Sequence, residues 1–385
     1  KIEDFRDLRR AMLKQYVGAN YSDNGSADKV PLPLLHMAVS IYQRHLAARI
    51  PRVLIETPFA ELKADAADLE LATNFWLEKI KFSEVMQRWV SDAMFGMGIL
   101  KTGLDCGEVV EIDGRMMESG TPFCDTVDLD DAIWDSVATR WDQTSFIGNY
   151  YRLPLEAVKD SDLYNKKERE KLKATDDTRM EGDGVEPIEE LSFDGKDMSD
   201  AYEEQVDLVD IWLRNDGLIL TLPVGGDWKK PLRETEWTGP DHGPYHQLAF
   251  NKVPKNILPI PPTSLLVDLH DIANRLFNKM GRQAEREKTN LIVNASQIED
   301  GKKLVNAADG EAVALNGANQ SSEFHTGGIN NGTAAFTMMV KDVFMEMGGN
   351  LSTLGGLSPA SGTVGQDKLI SDAASKQMEA MNAEV

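Results

Sequence analysis

The chain has 385 residues, 42% hydrophobic and 27% charged, which is typical of a globular protein with two or three domains or lobes. Its 63 acidic and 41 basic residues give a formal net charge of −22, which argues against a protein that binds nucleic acid tightly through the phosphates. No apolar run reaches the roughly 20 residues that span a bilayer, and the charged start KIEDFRDLRR is unlike a signal peptide, so we expect a protein made in the cytoplasm.

The first half of the chain predicts a mixed α+β domain. Amphipathic helices are expected at residues 4–17 and 34–50, followed by a short strand, PRVLIETP, at 51–58. A helical pair then covers 64–99. The alternating segments GILKTGLD, EVVEID and MESGTPFCDTVD follow as a β meander, with a hairpin turn at 113–115.

Both helices of that pair have an apolar stripe that we expect to face a core. The second stripe has the better helical spacing, with apolar residues at i, i+3, i+4, i+7 and i+8. The first stripe consists of Leu69, Ala72, Phe75, Trp76 and Ile80, and the second of Phe82, Val85, Met86, Trp89, Val90, Ala93 and Met94.

The segment VDLDDAIWD holds four carboxylates, Asp128, Asp130, Asp131 and Asp135. One interpretation is a two-metal hydrolase site built on Asp128, Asp130 and Asp131. The plainer interpretation is a turn between strands that these side chains cap and flank. Because no histidine, lysine or glutamate motif completes a metal site, the turn is preferred and the hydrolase remains a remote alternative.

Neither the histidines nor the cysteines predict a metal or redox centre. Cys106 and Cys124 have no CxxC or Cys/His ligand set nearby and are expected to be free thiols. His242 and His246 lie in a Gly/Pro loop, GPDHGPYHQL, which favours a structural loop over a metal pair. We therefore expect neither a metal nor a cofactor.

The middle of the chain is strongly acidic. Residues 160–204 hold 16 acidic and 7 basic residues and predict a solvated insertion, partly disordered. Two strands follow in VDLVDIWLRNDGLILTLPV, and a Pro-rich run over 231–262 precedes the next helix.

A long helix at about 264–290 is the clearest element of the second half. Its 27 residues would extend roughly 40 Å. Its basic residues fall in its second half and could form ion pairs, face a neighbouring subunit or contact passing phosphates. They are Arg275, Lys279, Arg282, Arg286 and Lys288.

The long helix is followed by a small α/β cap, a second helix and an uncharged loop. Together, at about 260–367, they predict an element that projects from the body of the protein. The cap covers about 290–332, the second helix 333–349 and the loop, NLSTLGGLSPASGTVGQ, about 350–366. Its glycines give the backbone freedom to move. The loop residues singled out are Leu351, Ser352, Thr353, Leu354, Gly355, Gly356, Leu357, Ser358, Gly362, Thr363 and Gly365.

Sequence motifs for catalysis are absent, so we expect a protein that is not an enzyme. The chain has no GxxxxGK[ST], GxSxG, HExxH or kinase set, and no GxGxxG after a strand. If this protein takes part in moving DNA, the ATP hydrolysis that drives the movement would come from another subunit.

Two runs in the second half carry a resemblance to a known family, LHDIANRLFNKMGRQAEREKTNLIV and GGLSPASGTVGQDKLISDAAS. With the order of elements from about Leu34 to Ala374, they resemble the portal (head-to-tail connector) proteins of tailed bacteriophages. The resemblance implies a ring, usually of twelve copies, at one capsid vertex. The ring would pass double-stranded DNA during packaging and ejection. Implied partners are further copies of this chain, the major capsid protein, the terminase, a head-tail adaptor and the DNA. The implied location is the virion, with assembly in the host cytoplasm.

The resemblance also divides the chain into parts. The basic helix would line the DNA channel and the uncharged loop would gate it. Portals usually continue into a helical crown, so a short or truncated crown is expected here. A head-tail adaptor or scaffold protein without a channel is the alternative. The implied parts are a wing at 1–263, stem helices at 264–289 and 333–349, a clip at 290–332, a tunnel loop at 350–366 and a returning helix at 367–385.

Overall fold

A computed structural model describes residues 2–18, 32–47, 51–105, 109–112, 115–118, 120–175, 204–225, 228–292, 298–308, 322–326, 328–355 and 364–385. The architecture is mixed α+β, as the sequence predicts. The chain divides into two compact units. The first contains residues 1–26, 33–267 and 348–385, and the second contains 27–32 and 268–347.

Helices and three antiparallel sheets form the first unit. Its helices are α1 (Ile2–Val17), α2 (Leu34–Leu46), α3 (Lys63–Lys79), α4 (Phe82–Phe95), α5 (Leu155–Asp160), α6 (Lys166–Arg169), α10 (Leu351–Leu354) and α11 (Val364–Asn382). Its strands are β1 (Gly98–Asp105), β2 (Val109–Ile112), β3 (Arg115–Glu118), β4 (Thr121–Val127), β5 (Ala132–Trp134), β6 (Phe146–Pro154), β7 (Gln205–Leu213), β8 (Leu218–Pro223), β9 (Arg233–Glu236) and β10 (Tyr245–Leu248).

The pairing of β2 with β3 is the one that the predicted hairpin requires, but the predicted meander is wrong, because β1 pairs with β4 and β10 and not with β2. A three-stranded sheet has the order β10-β1-β4, a five-stranded sheet has the order β5-β6-β7-β8-β9, and β2 pairs with β3. Both larger sheets contribute to one core, which contains Ile99, Val127, Ile147 and Trp212. Strands β5 to β9 pair with their neighbours in sequence. A short turn at 214–217 fixes the register of β7 and β8, whereas residues 155–204 join β6 to β7.

Helix α4 confirms the second predicted stripe. Val85, Met86, Trp89 and Val90 are buried, with Ala93 and Met94 one turn further on. The helix ends at Gly96, and β1 starts close beside it. A Cβ atom at Gly98 would lie 2.5 Å from the carbonyl oxygen of Trp89, so only glycine permits this approach.

The first predicted stripe and the first predicted strand are wrong. Leu69 and Phe75 are exposed, and Leu77 is the buried residue of α3. Residues 51–58 form no strand within the described chain; Val53 and Ile55 instead lie beside α3. The amide of Asn74 hydrogen-bonds the backbone NH and carbonyl of Val53 at 3.0 and 2.9 Å. A side chain therefore satisfies backbone groups that a strand partner would otherwise pair.

The second unit consists of two helices joined by a small α/β segment. Its elements are α7 (Val267–Glu285), β11 (Lys288–Ile292), α8 (Ile298–Asn306), β12 (Ser322–Thr326) and α9 (Asn331–Met347), with β11 and β12 paired antiparallel. Buried His270 and Ala273 on α7, and Val340 and Phe344 on α9, mark the inward sides of the two helices. Thr337 Oγ1 on α9 lies 3.7 Å from Met280 Sδ on α7.

Helix α7 is shorter than predicted. It ends at Glu285, Arg286 lies in the turn that follows, and Lys288 begins β11. Sequence periodicity placed Lys288 on the helix because Glu285 to Lys288 contains no glycine or proline to mark the end.

Candidate functional site

The basic residues of α7 form one exposed stripe. Arg275, Lys279 and Arg282 are spaced i, i+4 and i+7, and Arg286 continues the series just beyond the helix. At 100° per residue these positions fall within about 60° of the helix circumference. Arg275 forms an ion pair with Asp271 one turn earlier. Lys288 lies in β11 and does not extend this helical stripe.

Apolar side chains lie beside the stripe and on the second helix of the same unit. On α7, Leu269, Ile272 and Leu276 are half-buried or exposed at helical spacing. On α9, Phe336, Met339 and Met347 are exposed beside the buried side that Val340 and Phe344 form. Neither helix is fully covered within its own unit, and exposed apolar faces of this kind mark contact surfaces.

The predicted uncharged loop is shorter than expected at both ends. Leu351–Leu354, which includes Ser352 and Thr353, is a helical turn, and α11 begins at Val364, so Gly365 lies in a helix. The side chain of Leu351 is fully buried, which places it in the interior of the first unit. Gly355 ends the helical turn. The remaining loop residues, Gly356, Leu357, Ser358, Gly362 and Thr363, lie outside the described residues.

Helix α2 holds the start of this loop. The hydroxyl of Tyr42 donates to the carbonyl oxygen of Gly348 at 2.8 Å, and the ring of His45 lies 3.0 Å from the carbonyl oxygen of Leu354. Asn350 adopts φ 59°, the left-handed conformation in which asparagine is tolerated better than most residues. These contacts fix the position of residues 348–355 against α2.

The aspartates considered as metal ligands surround an arginine. Arg9 on α1 donates two hydrogen bonds to the Asp128 carboxylate, at 2.8 and 3.0 Å, and lies 3.3 Å from Asp130 and 3.5 Å from Asp92. Within the described residues, no group of three or more His, Cys, Asp or Glu side chains could hold a metal ion. The backbone NH of Asp131 donates to the carbonyl oxygen of Asp128 and so helps to form the turn.

The arginine and its carboxylates shift one another's protonation. Burial opposes the charge of Arg9, but the hydrogen bond and charge of Asp128 raise the pKa of Arg9. Burial likewise opposes the charge of Asp128, yet the hydrogen bond from Arg9 lowers the pKa of Asp128. At Asp92 burial dominates and raises the pKa to about 6, although Arg9 acts against it. Sequence reasoning missed this cluster. The signal that could have indicated it is the i, i+3, i+4 spacing of Arg6, Arg9 and Arg10, which places them on one side of α1.

A half-buried ion pair joins the two larger sheets of the first unit. Lys101 Nζ on β1 lies 2.7 Å from Asp210 Oδ2 on β7 and 3.0 Å from Asn149 Oδ1 on β6. The other Asp210 oxygen accepts from the hydroxyls of Tyr151 and Thr221, at 2.9 and 2.7 Å. Lys101 and Asp210 are 109 residues apart in the sequence, so sequence reasoning did not find this pair.

The close histidine pair and the described cysteine give no sign of metal chemistry. The rings of His242 and His246 lie 5.2 Å apart, and His246 Nε2 is 3.2 Å from Thr102 Oγ1. Burial, with His242 nearby, lowers the pKa of His246 and favours its neutral form. Cys124 is a buried free thiol, as predicted, while Cys106 lies outside the described residues.

No protein-family model matches this chain, and no curated protein sequence matches it significantly. Within the described residues, no helix combines the length and apolarity needed to cross a membrane. A functional assignment therefore depends on the elements and the charge pattern of the chain itself.

Proposed function

We propose that this chain is the subunit of a ring-shaped channel for double-stranded DNA, of the kind formed by the portal proteins of tailed bacteriophages. The observation that carries the proposal is the exposed basic stripe on α7 in a chain of net charge −22. The stripe of Arg275, Lys279 and Arg282 concentrates positive charge on one side of α7. In the ring, this side would contact the phosphate backbone of the passing duplex. The acidic remainder would repel phosphates and so limit tight binding along the path.

The apolar faces of the second unit support assembly from several copies. Neighbouring copies in a ring would cover these faces, which include Leu269 and Ile272 on α7 and Phe336 and Met339 on α9. If twelve α7 helices stand about 10 Å apart, the circle through their axes is roughly 38 Å across. Subtracting one helix diameter leaves a bore of about 28 Å, enough for a DNA duplex.

The ring would lie at one capsid vertex and contact the major capsid protein, the terminase and later a head-tail adaptor. In this scheme the tunnel loop predicted at about 350–366 contacts the DNA and gates the channel. A head-tail adaptor or scaffold without a channel is the alternative, and the inner diameter of the assembly separates the two. We do not propose the hydrolase, because Arg9 occupies the position among Asp128 and Asp130 that a cation would need.

Charge reversal of the stripe tests its role in DNA passage. The triple variant Arg275→Glu, Lys279→Glu, Arg282→Glu is expected to reduce nuclease-protected DNA in assembled heads at least tenfold, since three acidic side chains per copy would repel the duplex. Ring formation should be retained, because these side chains are exposed. Quantitative PCR of protected DNA and electron microscopy of the purified variant measure the two properties.

A matched control reverses the same number of charges in the first unit. Lys159→Glu, Lys166→Glu, Lys230→Glu changes the net charge equally at three exposed positions. It should package DNA as the wild type does. Equal packaging by both triple variants would show that the stripe does not meet the DNA.

A further inference from the structure

A cavity of about 630 Å³ in the first unit has a charge unlike that of the rest of the chain. Its volume lies within the range of roughly 300–1,000 Å³ that is usual for small-molecule sites. Four stretches line it, namely 139–142, Arg214 just after β7, 242–247 and 252–257. Four of the lining side chains are arginine or lysine and one is a carboxylate, Asp142, in a chain of net charge −22. The cavity therefore favours an anion.

Two of the four cations, Arg214 and Lys255, have no carboxylate partner in the part of the chain that the structure describes. Arg140, by contrast, pairs with Asp142 at 2.6 Å. Lys252 likewise pairs with a glutamate just beyond α11. The positive charge that the cavity offers a ligand is therefore mainly that of Arg214 and Lys255.

The guanidinium of Arg214 is held in place. Its Nε donates to the carbonyl oxygen of Thr144 at 2.9 Å, and its Nη2 lies 3.4 Å from the carbonyl oxygen of Trp141. Its central carbon lies 4.8 Å from the centre of the Trp212 ring. Among the described residues, Nη1 has no hydrogen-bond partner. A half-buried charge without a counter-charge costs free energy, so an anion in the cavity would stabilise this arginine.

Lys255 lies in a tight turn at the edge of the cavity. The backbone NH of Asn256 donates to the carbonyl oxygen of Val253 at 3.1 Å and closes the turn. Lys255 adopts φ 59°, a left-handed conformation that glycine and asparagine adopt more readily than lysine. The turn by itself thus favours another residue, whereas the cavity gains an exposed cation from this one.

The two available cations and the size of the cavity indicate the class of ligand. A phosphate monoester carries close to two negative charges at neutral pH, whereas a carboxylate carries one. The fork of an arginine can donate to two phosphate oxygens at once. Since a phosphate has only five non-hydrogen atoms, the cavity has room for an attached organic group. Trp141 and Ile257 line the same cavity and supply apolar surface for that group.

We infer that this cavity binds an organic phosphate monoester, with the phosphate on Arg214 and Lys255 and the organic group against Trp141 and Ile257. Two sources supply this chemistry, a free small molecule and the 5′ phosphate at the end of a DNA strand, and the volume of the cavity favours the small molecule. The cavity lies in the first unit and the basic stripe of α7 in the second. The inference does not depend on the proposed ring.

Isothermal titration calorimetry of the purified full chain tests binding. The probes are deoxyadenosine 5′-monophosphate, glucose 6-phosphate and phenyl phosphate, compared with inorganic phosphate. At least one ester is expected to bind about tenfold more tightly than inorganic phosphate, because only the esters carry a group that contacts Trp141. A DNA duplex is titrated with and without 5′ phosphates. A preference for the phosphorylated duplex, with no binding of the small esters, would assign the phosphate to a DNA end. Binding of neither would overturn the inference.

Substitutions of the two unpaired cations locate the ligand. Lys255→Asn removes one charge from a position where asparagine suits the backbone, and should weaken binding of the tightest ester about fivefold. Arg214→Gln should weaken it at least tenfold, since charged hydrogen bonds to the phosphate are lost. The matched control, Lys230→Asn, removes the same charge from an exposed lysine outside the cavity and should bind like the wild type. Circular dichroism checks that each variant folds.

The variant Asp142→Asn should bind more tightly, a result that damage to the fold would not produce. It removes the one carboxylate among the described residues that line the cavity, so affinity for the ester is expected to rise about threefold. If Lys255→Asn and Asp142→Asn both bind the ester as the wild type does, the ester binds elsewhere and the inference is overturned. The proposed ring would be unaffected, because its test is the shape of the assembly.

Discussion

Replacing Arg9 with methionine is expected to lower the free energy of unfolding of the first unit by about 3–5 kcal/mol. The substitution keeps most of the aliphatic volume of the side chain but removes the guanidinium that faces Asp92, Asp128 and Asp130. Three carboxylates would then repel one another in a partly buried site. Chemical denaturation monitored by circular dichroism measures the loss. The same substitution at Arg88, whose ion pair with Asp125 is exposed, should cost less than 1 kcal/mol.

The pH dependence of stability gives this cluster a distinct signature. Because burial raises the pKa of Asp92 to about 6, the folded chain holds a proton there between about pH 4 and 6 that the unfolded chain, with an aspartate pKa near 3.9, has lost. The contribution of Asp92 to stability therefore falls as pH rises through this window. Asp128 has a lowered pKa and the opposite sign, so its contribution is lost only at more acidic pH.

The variant Asp92→Asn should remove the dependence between pH 4 and 6 and be at least as stable as the wild type at pH 7. Denaturation at several pH values from 4 to 8 measures both effects. If Arg9→Met and Arg88→Met lower the free energy of unfolding equally little, or if Asp92→Asn leaves the pH profile unchanged, the Arg9 cluster does not stabilise the first unit as predicted.

Replacing Asp210 with alanine is expected to have an effect of similar size, about 3–5 kcal/mol. The ammonium of Lys101 would lose its carboxylate partner between the two sheets, and the hydroxyls of Tyr151 and Thr221 would lose their acceptor. Asp210→Asn should be intermediate, because the amide oxygen can still accept a hydrogen bond while the charge is lost. Thermal and chemical denaturation of the wild type, Asp210→Asn and Asp210→Ala measures the order of their free energies of unfolding.

The control for Asp210 is an exposed pair of the same chemistry. Asp142 pairs with Arg140 at 2.6 Å at the surface, and Asp142→Ala should cost less than 1 kcal/mol. A cost for Asp210→Ala no larger than for Asp142→Ala would contradict the idea that this half-buried pair joins the sheets.

Local patterns predicted much of the architecture. The stripe through Trp89 and Val90 identified α4 correctly, and the Asn-Asp-Gly turn before Leu218 identified the β7–β8 hairpin, because both depend on neighbours in sequence. The stripe of α3 was wrong since periodicity reports which residues share a side, not whether anything packs against it. The exposed Leu69 and Phe75 show that difference.

The candidate site was predictable only in part. The spacing of Arg275, Lys279 and Arg282 is visible in the sequence, but the end of α7 before Lys288 depends on the pairing of β11 with a strand 34 positions later. The helical turn at Leu351 depends on its burial, which no local pattern in an uncharged, Gly-containing segment indicates. Lys101 and Asp210 meet only after two sheets have formed.

End-on class averages of the purified protein by electron microscopy test the central claim most directly. The account predicts closed rings, with about twelve copies and a central opening between roughly 20 and 30 Å wide, since twelve α7 helices at about 10 Å spacing leave that bore. Rings without an opening wide enough for a duplex would favour an adaptor or scaffold. A compact monomer at high protein concentration would contradict the proposed channel outright.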